Sequence, residues 1–139
     1  HATSDMDVSD QLWGARSANA YAWRTLQQNG AILAFGSDAP VDSWNPWHGI
    51  HAAVTRQRPQ SDKPAWYPEQ QLSLEEALWG YTVGAAITSG ELAIKGSLSV
   101  GKRADLVVLD RDLLETADHD LHAVQTDMTM LDGEVVWER

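Results

Sequence analysis

The apolar positions of the chain follow two regimes. From Leu12 to Leu26 they step by three or four residues, through Ala15, Ala18 and Ala22, which is the spacing of one helix face. Ser9 or Asp10 can cap such a helix, because their side-chain oxygens accept from the free amides of the first turn, and Asn29-Gly30 supplies a left-handed stop. The pattern therefore predicts one helix from there to about Asn29. Ala31 to Phe35 is a continuous apolar run between two glycines, the pattern of a strand buried on both faces of a parallel sheet. A loop from Gly36 to Pro46 leads into a short helix predicted from about Trp47 to Arg58, and a second loop runs from Pro59 to Pro68. Ser73-Leu74-Glu75-Glu76 is a capping box, and Leu74, Ala77, Leu78, Tyr81 and Ala85 mark the packed face of the helix it opens. Gly80 and Gly84 weaken that helix by up to about 1 kcal/mol each unless a closely packed neighbour offsets them. Gly90 ends it.

From Gly96 the pattern turns to β. Ala104 to Asp110 reads as one strand and Val124 to Leu131 as a second, alternating one. Asp132-Gly133 is a two-residue hairpin signal that returns the chain through Glu134 to Glu138. Helix, buried strand, helix and helix thus precede an antiparallel tail.

Composition narrows the classes. With 43 % hydrophobic and 22 % charged residues the chain has the make-up of a globular protein with a core. Its 139 residues suit one ordinary domain. A net charge of −10 and the lack of any basic run leave nothing to attract phosphate backbones or anionic membrane surfaces, so nucleic acid and membrane are not expected partners. No apolar stretch is long enough to span a bilayer, and no basic-apolar leader opens the chain. Cysteine is absent, which removes thiolate ligands, Cys nucleophiles and disulfides. The compartment stays open, with the cytoplasm favoured. The chain starts on His1 and a polar, turn-like stretch, from which the numbering is expected to begin inside a longer protein.

Among chemical motifs, Gly36-Ser37-Asp38-Ala39-Pro40 stands out because it follows the predicted buried strand. Side chains at that end of a parallel strand project into the ligand face of α/β folds, and an Asp there can ligate a metal or act as a base on water. Gly-Ser-Asp is equally the chemistry of a turn that caps the next element, and on these five residues alone the turn is the commoner outcome. His48 and His51, three apart on a predicted helix, share a face, but metal sites take three or four convergent ligands. They read as surface or packing histidines. His119 and His122 read as solvated loop residues beside Asp118 and Asp120. His1 has too little context to assign. No Gly-x-Ser-x-Gly elbow, phosphate-binding loop or dinucleotide fingerprint occurs, and the seven Trp are scattered over several elements.

Taken together, the motifs resemble a known family. Gly96-Ser97-Leu98-Ser99-Val100-Gly101-Lys102-Arg103-Ala104-Asp105-Leu106-Val107-Val108-Leu109-Asp110 is similar to the C-terminal signature of the amidohydrolase superfamily, and Asp132-Gly133-Glu134-Val135-Val136-Trp137 to its closing hairpin. Gly36 to Val41, Ala53-Val54-Thr55-Arg56, Leu72 to Leu78 and Tyr81-Thr82 resemble the amidohydrolase family 3 branch, which includes N-substituted formamide deformylase-like enzymes. The likeness runs through nearly the whole chain in order.

The resemblance implies an α/β fold: the C-terminal end of a (β/α)8 barrel, of the TIM type, over residues 1–95, followed by the C-terminal strands of a small β-sandwich over 96–139. It implies a metal-dependent hydrolase of amide or other non-peptide C–N bonds that uses a divalent metal, zinc by expectation. Asp38 matches the Asp at the end of the eighth strand, which in that family is metal ligand and catalytic proton shuttle. His1 matches a His after the seventh strand that contacts substrate. The family's His-x-His and its middle ligands have no counterpart here, and a barrel alone takes about 250 residues. The chain therefore reads as the last quarter to third of such an enzyme. Loops around Trp44 to Trp47 and Pro64 to Pro68 are expected to face a small-molecule substrate. The expected partner is the upstream polypeptide of the same protein or another copy of the chain, because a lone buried strand and open helix faces need cover. The alternative is a non-catalytic truncated or assembly domain with no activity of its own.

Overall fold

The computed structural model describes residues 1–139. The chain forms helices α1 (Met6–Trp13), α2 (Trp23–Gln28), α3 (Pro46–Thr55), α4 (Leu74–Trp79) and α5 (Ala85–Thr88), then strands β1 (Leu106–Leu109), β2 (Thr126–Leu131) and β3 (Glu134–Glu138). Five helices and a three-stranded antiparallel sheet of order β1-β2-β3 make it a mixed α/β chain. The sheet is open, and a closed barrel is not formed by these residues alone.

Local chemistry explains the helix ends. Asn45 caps α3 by accepting from the Trp47 amide, with Pro46 at the first turn, and Arg56 closes the helix in a left-handed conformation. Ser73 and Glu76 form the expected reciprocal box at α4. From α4 the helix continues through a π turn at Gly80–Gly84 into α5 and stops at Gly90, whose φ is +73°. Both helix glycines have a packing reason. A Cβ on Gly80 would stand 2.5 Å from the Phe35 ring, and one on Gly84 would overlap the Leu33 carbonyl oxygen. The segment 31–35 therefore lies directly on the π turn, where the Phe35 amide donates to the Gly80 carbonyl at 3.1 Å.

Two sequence expectations are corrected here. The predicted helix from Ser9 or Asp10 to Asn29 is broken into α1, a 3₁₀ turn at Gly14–Asn19 and α2, with Asp5 rather than Ser9 or Asp10 at the first N-cap. A polar network around the buried Ser17 breaks it: the Ser17 hydroxyl meets Asp10 Oδ1 at 2.6 Å and Tyr67 Oη at 2.7 Å, and Tyr21 takes a left-handed φ of 52°. The stripe this spacing suggested is not a core face, because Leu12 and Leu26 are exposed. The second correction concerns 31–35, which joins no ladder. Leu33 is buried, but Ile32 is 54 % exposed, because no strand of this chain lies beside it.

The core gathers Trp47, Ile50, Ala53 and Val54 of α3 with Leu33, Leu72, Ala77, Leu121 and Val124. Leu121 comes from a further 3₁₀ helix, Asp118–Ala123, which docks on α3; His119 stays exposed beside Asp118 and Asp120 as expected, whereas His122 is half-buried against His51. The hairpin forms as the Asp-Gly signal requires, with Asp132 at φ 51° and Gly133 at φ 87°. Every residue of β3 is exposed.

Candidate functional site

Asp38 sits just after the segment that rests on the π turn. Its backbone is left-handed, at φ 53°, and its carbonyl accepts from the Val41 amide at 2.9 Å, so residues 38–41 form a tight turn. A left-handed non-glycine residue costs on the order of 1 kcal/mol, which Asp tolerates better than most. The turn turns the carboxylate outward, leaving the side chain 75 % exposed.

His1 meets it there. Its Nε2 lies 3.7 Å from Asp38 Oδ2, and nearby Asp42 accepts from the Ser4 hydroxyl at 3.0 Å. The two residues singled out by resemblance are thus side by side. His1 lines a cleft of about 230 Å³ whose walls also include Tyr21, Phe35, Ser37, Asp42, Asn45, His48 and Tyr81, and Asp38 follows the Gly36-Ser37 wall without lining it. One wall is a run of rings in contact: Tyr21 on Trp23 at 6.1 Å, Trp23 on Phe35 at 5.2 Å and Phe35 on Tyr81 at 5.6 Å. Such tilted and edge-on pairs fix one another's orientation. Burial, helped by the hydrogen bond to Asp5, pushes the Tyr21 hydroxyl up to about 12.

Behind that wall lies Arg56. It is 1 % exposed, and its guanidinium lies 5.2 Å from the Trp23 ring centroid and 4.9 Å from that of Trp66. Its Nε donates to the Trp66 carbonyl and its Nη1 to the Tyr21 carbonyl, both at 3.0 Å, while Nη2 finds no partner. Burial pulls its pKa down to about 10, with Glu69 pulling the other way. Arg56 thereby fixes the backbone that carries Tyr21 into the cleft.

The remaining candidates separate. His48 lines the cleft, whereas His51 is buried against His122, with ring centroids 5.1 Å apart. The Pro64 to Pro68 loop lines a different groove with Asp7 and Arg58, and Trp44 and Trp47 line a third with Trp137, so of the two expected substrate loops only Asn45 reaches the cleft. Tyr21 and Arg56 were not marked by chemical motif. Tyr21 fell inside the helical spacing, and Arg56 carried no local signal beyond its place in the family-like stretch.

The donor types fit a divalent metal: one carboxylate oxygen and one imidazole nitrogen, neighbouring and open. The number does not, since no three His, Asp or Glu side chains converge in the chain. In this chain the pair alone does not make a metal site.

Comparison with known proteins identifies the family of the chain. The model of the amidohydrolase family matches residues 5–137, and the chain belongs to that family. It is 32 % identical over 133 residues to the YtcJ protein of Bacillus subtilis (strain 168), covering 95 % of this chain and 25 % of that one. It is 37 % identical over 125 residues to the protein LONG AFTER FAR-RED 3 of Arabidopsis thaliana, covering 88 % and 21 %. To the N-substituted formamide deformylase of Arthrobacter pascens it is 34 % identical over 116 residues, covering 84 % and 21 %. The chain thus spans between a fifth and a quarter of the length of these relatives.

Proposed function

We propose that this chain is the C-terminal part of a metal-dependent hydrolase acting on amide or other non-peptide C–N bonds. Residues 1–95 are read as the last βα units of its barrel and 96–139 as strands of its sandwich. The observation that carries the reading is that Asp38 pairs with His1, a wall of the aromatic cleft, in an amidohydrolase-family chain.

Asp38 would hold the metal, zinc by family resemblance, together with ligands from the upstream polypeptide. A divalent metal, when bound, supplies acidity to a water molecule at neutral pH. The outward Asp38 carboxylate takes the proton that water loses as it attacks the carbonyl carbon, and returns it to the departing amine nitrogen. His1 contacts the substrate beside it. The aromatic wall holds an apolar substituent, which suits an N-substituted amide such as the Arthrobacter relative's name describes.

The test is Asp38→Asn in the full-length polypeptide, assayed by amine release from an N-substituted formamide. Loss of the shuttle lowers kcat by roughly 100-fold or more, with the unfolding midpoint unchanged because the side chain is exposed. Undiminished turnover would remove Asp38 from this role.

A further inference from the structure

The chain has three tyrosines, and two of them have their hydroxyls committed. Tyr21 donates to Asp5 Oδ2 at 2.7 Å, and Tyr67 shares a hydrogen with Ser17 at 2.7 Å. Tyr81 makes no hydrogen bond to the protein, and it is one of the cleft's walls.

Its position is built rather than incidental. The π turn at Gly80–Gly84 carries Tyr81, and the Phe35 ring beneath it, 5.6 Å away and tilted by 47°, holds the phenol in place. The hydroxyl end lies over Gly49, in the first half of α3, where a Cβ would overlap the oxygen. Gly49 therefore leaves room for a hydroxyl that the protein itself does not use.

The surroundings define what such a hydroxyl accepts. Burial raises the Tyr81 pKa, and the Asp42 carboxylate raises it further, so the group stays protonated and acts as a donor. The same carboxylate is itself a wall of the cleft and repels an anionic acceptor. A neutral oxygen next to an apolar body is the chemistry that remains, the body lying on the ring run and the oxygen on the phenol.

From this geometry we infer that the Tyr81 hydroxyl is a substrate-binding donor, selecting ligands in which a neutral carbonyl adjoins an aromatic or bulky apolar group. The inference deepens the hydrolase reading and rests on its placing substrate in this cleft, but it assigns Tyr81 a role separate from the proton shuttle.

The experiment measures binding, not turnover, in the full-length polypeptide, with benzamide, toluene and benzoate as probes and NMR titration as the readout. All three carry a phenyl ring; benzamide has the neutral carbonyl and benzoate the anionic one. Benzamide binds the unaltered protein, benzoate binds it more weakly, and Tyr81→Phe weakens benzamide by roughly 3–10-fold, the range of one neutral hydrogen bond, while toluene is unaffected. Tyr81→Phe keeps the contact with Phe35, so its unfolding midpoint stays that of the unaltered protein. Equal benzamide affinity in the two proteins, an equal loss for toluene, or no benzamide binding to the unaltered protein would overturn the proposal. Asp38→Asn separates it from the hydrolase reading: hydrolysis lost with benzamide binding kept supports both, whereas hydrolysis kept with a Tyr81 effect on binding removes only the shuttle.

Discussion

Helix α3 and the sheet are both apolar, and they end in opposite conditions. Seven of the ten residues of α3 are buried, from Trp47 to Thr55, while β3 buries none of its five. Val107, Val108, Val135, Val136 and Trp137 all remain open. The difference is a second layer. α3 is covered by α4 and by the 3₁₀ helix that delivers Leu121, whereas no other strand of this chain faces the sheet. An apolar pattern records that a surface is suited to cover, and only topology decides whether the same chain supplies it.

The comparison can be broken most sharply at Leu121. Truncation to Ala empties a fully buried site under α3 and costs about 3 kcal/mol in urea unfolding. A loss below about 1 kcal/mol would mean that the 3₁₀ helix does not seal α3.

Acid probes the same seam. His51 is 2 % exposed, and burial, followed by the nearby His122, His48 and His119, lowers its pKa from 6.5 to about 4. Between those values the unfolded chain holds a proton that the folded chain refuses, so stability falls as pH drops through that window. The loss is on the order of 2–3 kcal/mol by pH 4. Unfolding midpoints of the unaltered chain and His51→Gln, compared at pH 7 and pH 4.5, check this: the variant's pH dependence should be flatter. Parallel profiles would clear His51.

The smallest effect belongs to the sheet. Val136→Thr changes the stability of the 139-residue chain by less than about 0.5 kcal/mol. In the full-length polypeptide the same change costs about 1 kcal/mol or more if a second layer covers the sheet. Equal values in the two settings would mean the face stays open.

What was legible in the sequence was what neighbours along the chain decide. The Ser73–Glu76 box, the Gly90 stop and the Asp132-Gly133 turn are each settled within four residues, and each formed as read. The helix from Ser9 or Asp10 to Asn29 failed because Ser17 bonds to Asp10 seven residues back and to Tyr67 fifty residues ahead, contacts its apolar spacing does not register. The run at 31–35 carried the composition of a buried strand, but pairing needs a neighbour that composition cannot supply. At the site, Asp38 and His1 were reached through family likeness, and the structure adds their proximity. The roles of the cleft's phenols and of Arg56 were not legible, because they arise from contacts between segments distant in sequence.

Arg56 also governs a stretch that it does not belong to. Its carbonyl accepts from the Trp66 amide at 2.9 Å while its Nε donates to the Trp66 carbonyl at 3.0 Å. Residues 57–65 are thus pinched shut at their base by one residue on each side. A loop closed in this way transmits little of its own length to the rest of the molecule, since doubling a flexible loop costs only about 0.6 kcal/mol. Insertions between Pro59 and Pro64 should leave the clamp and the Tyr21 wall in register. A tag grafted there is expected to leave the cleft undisturbed.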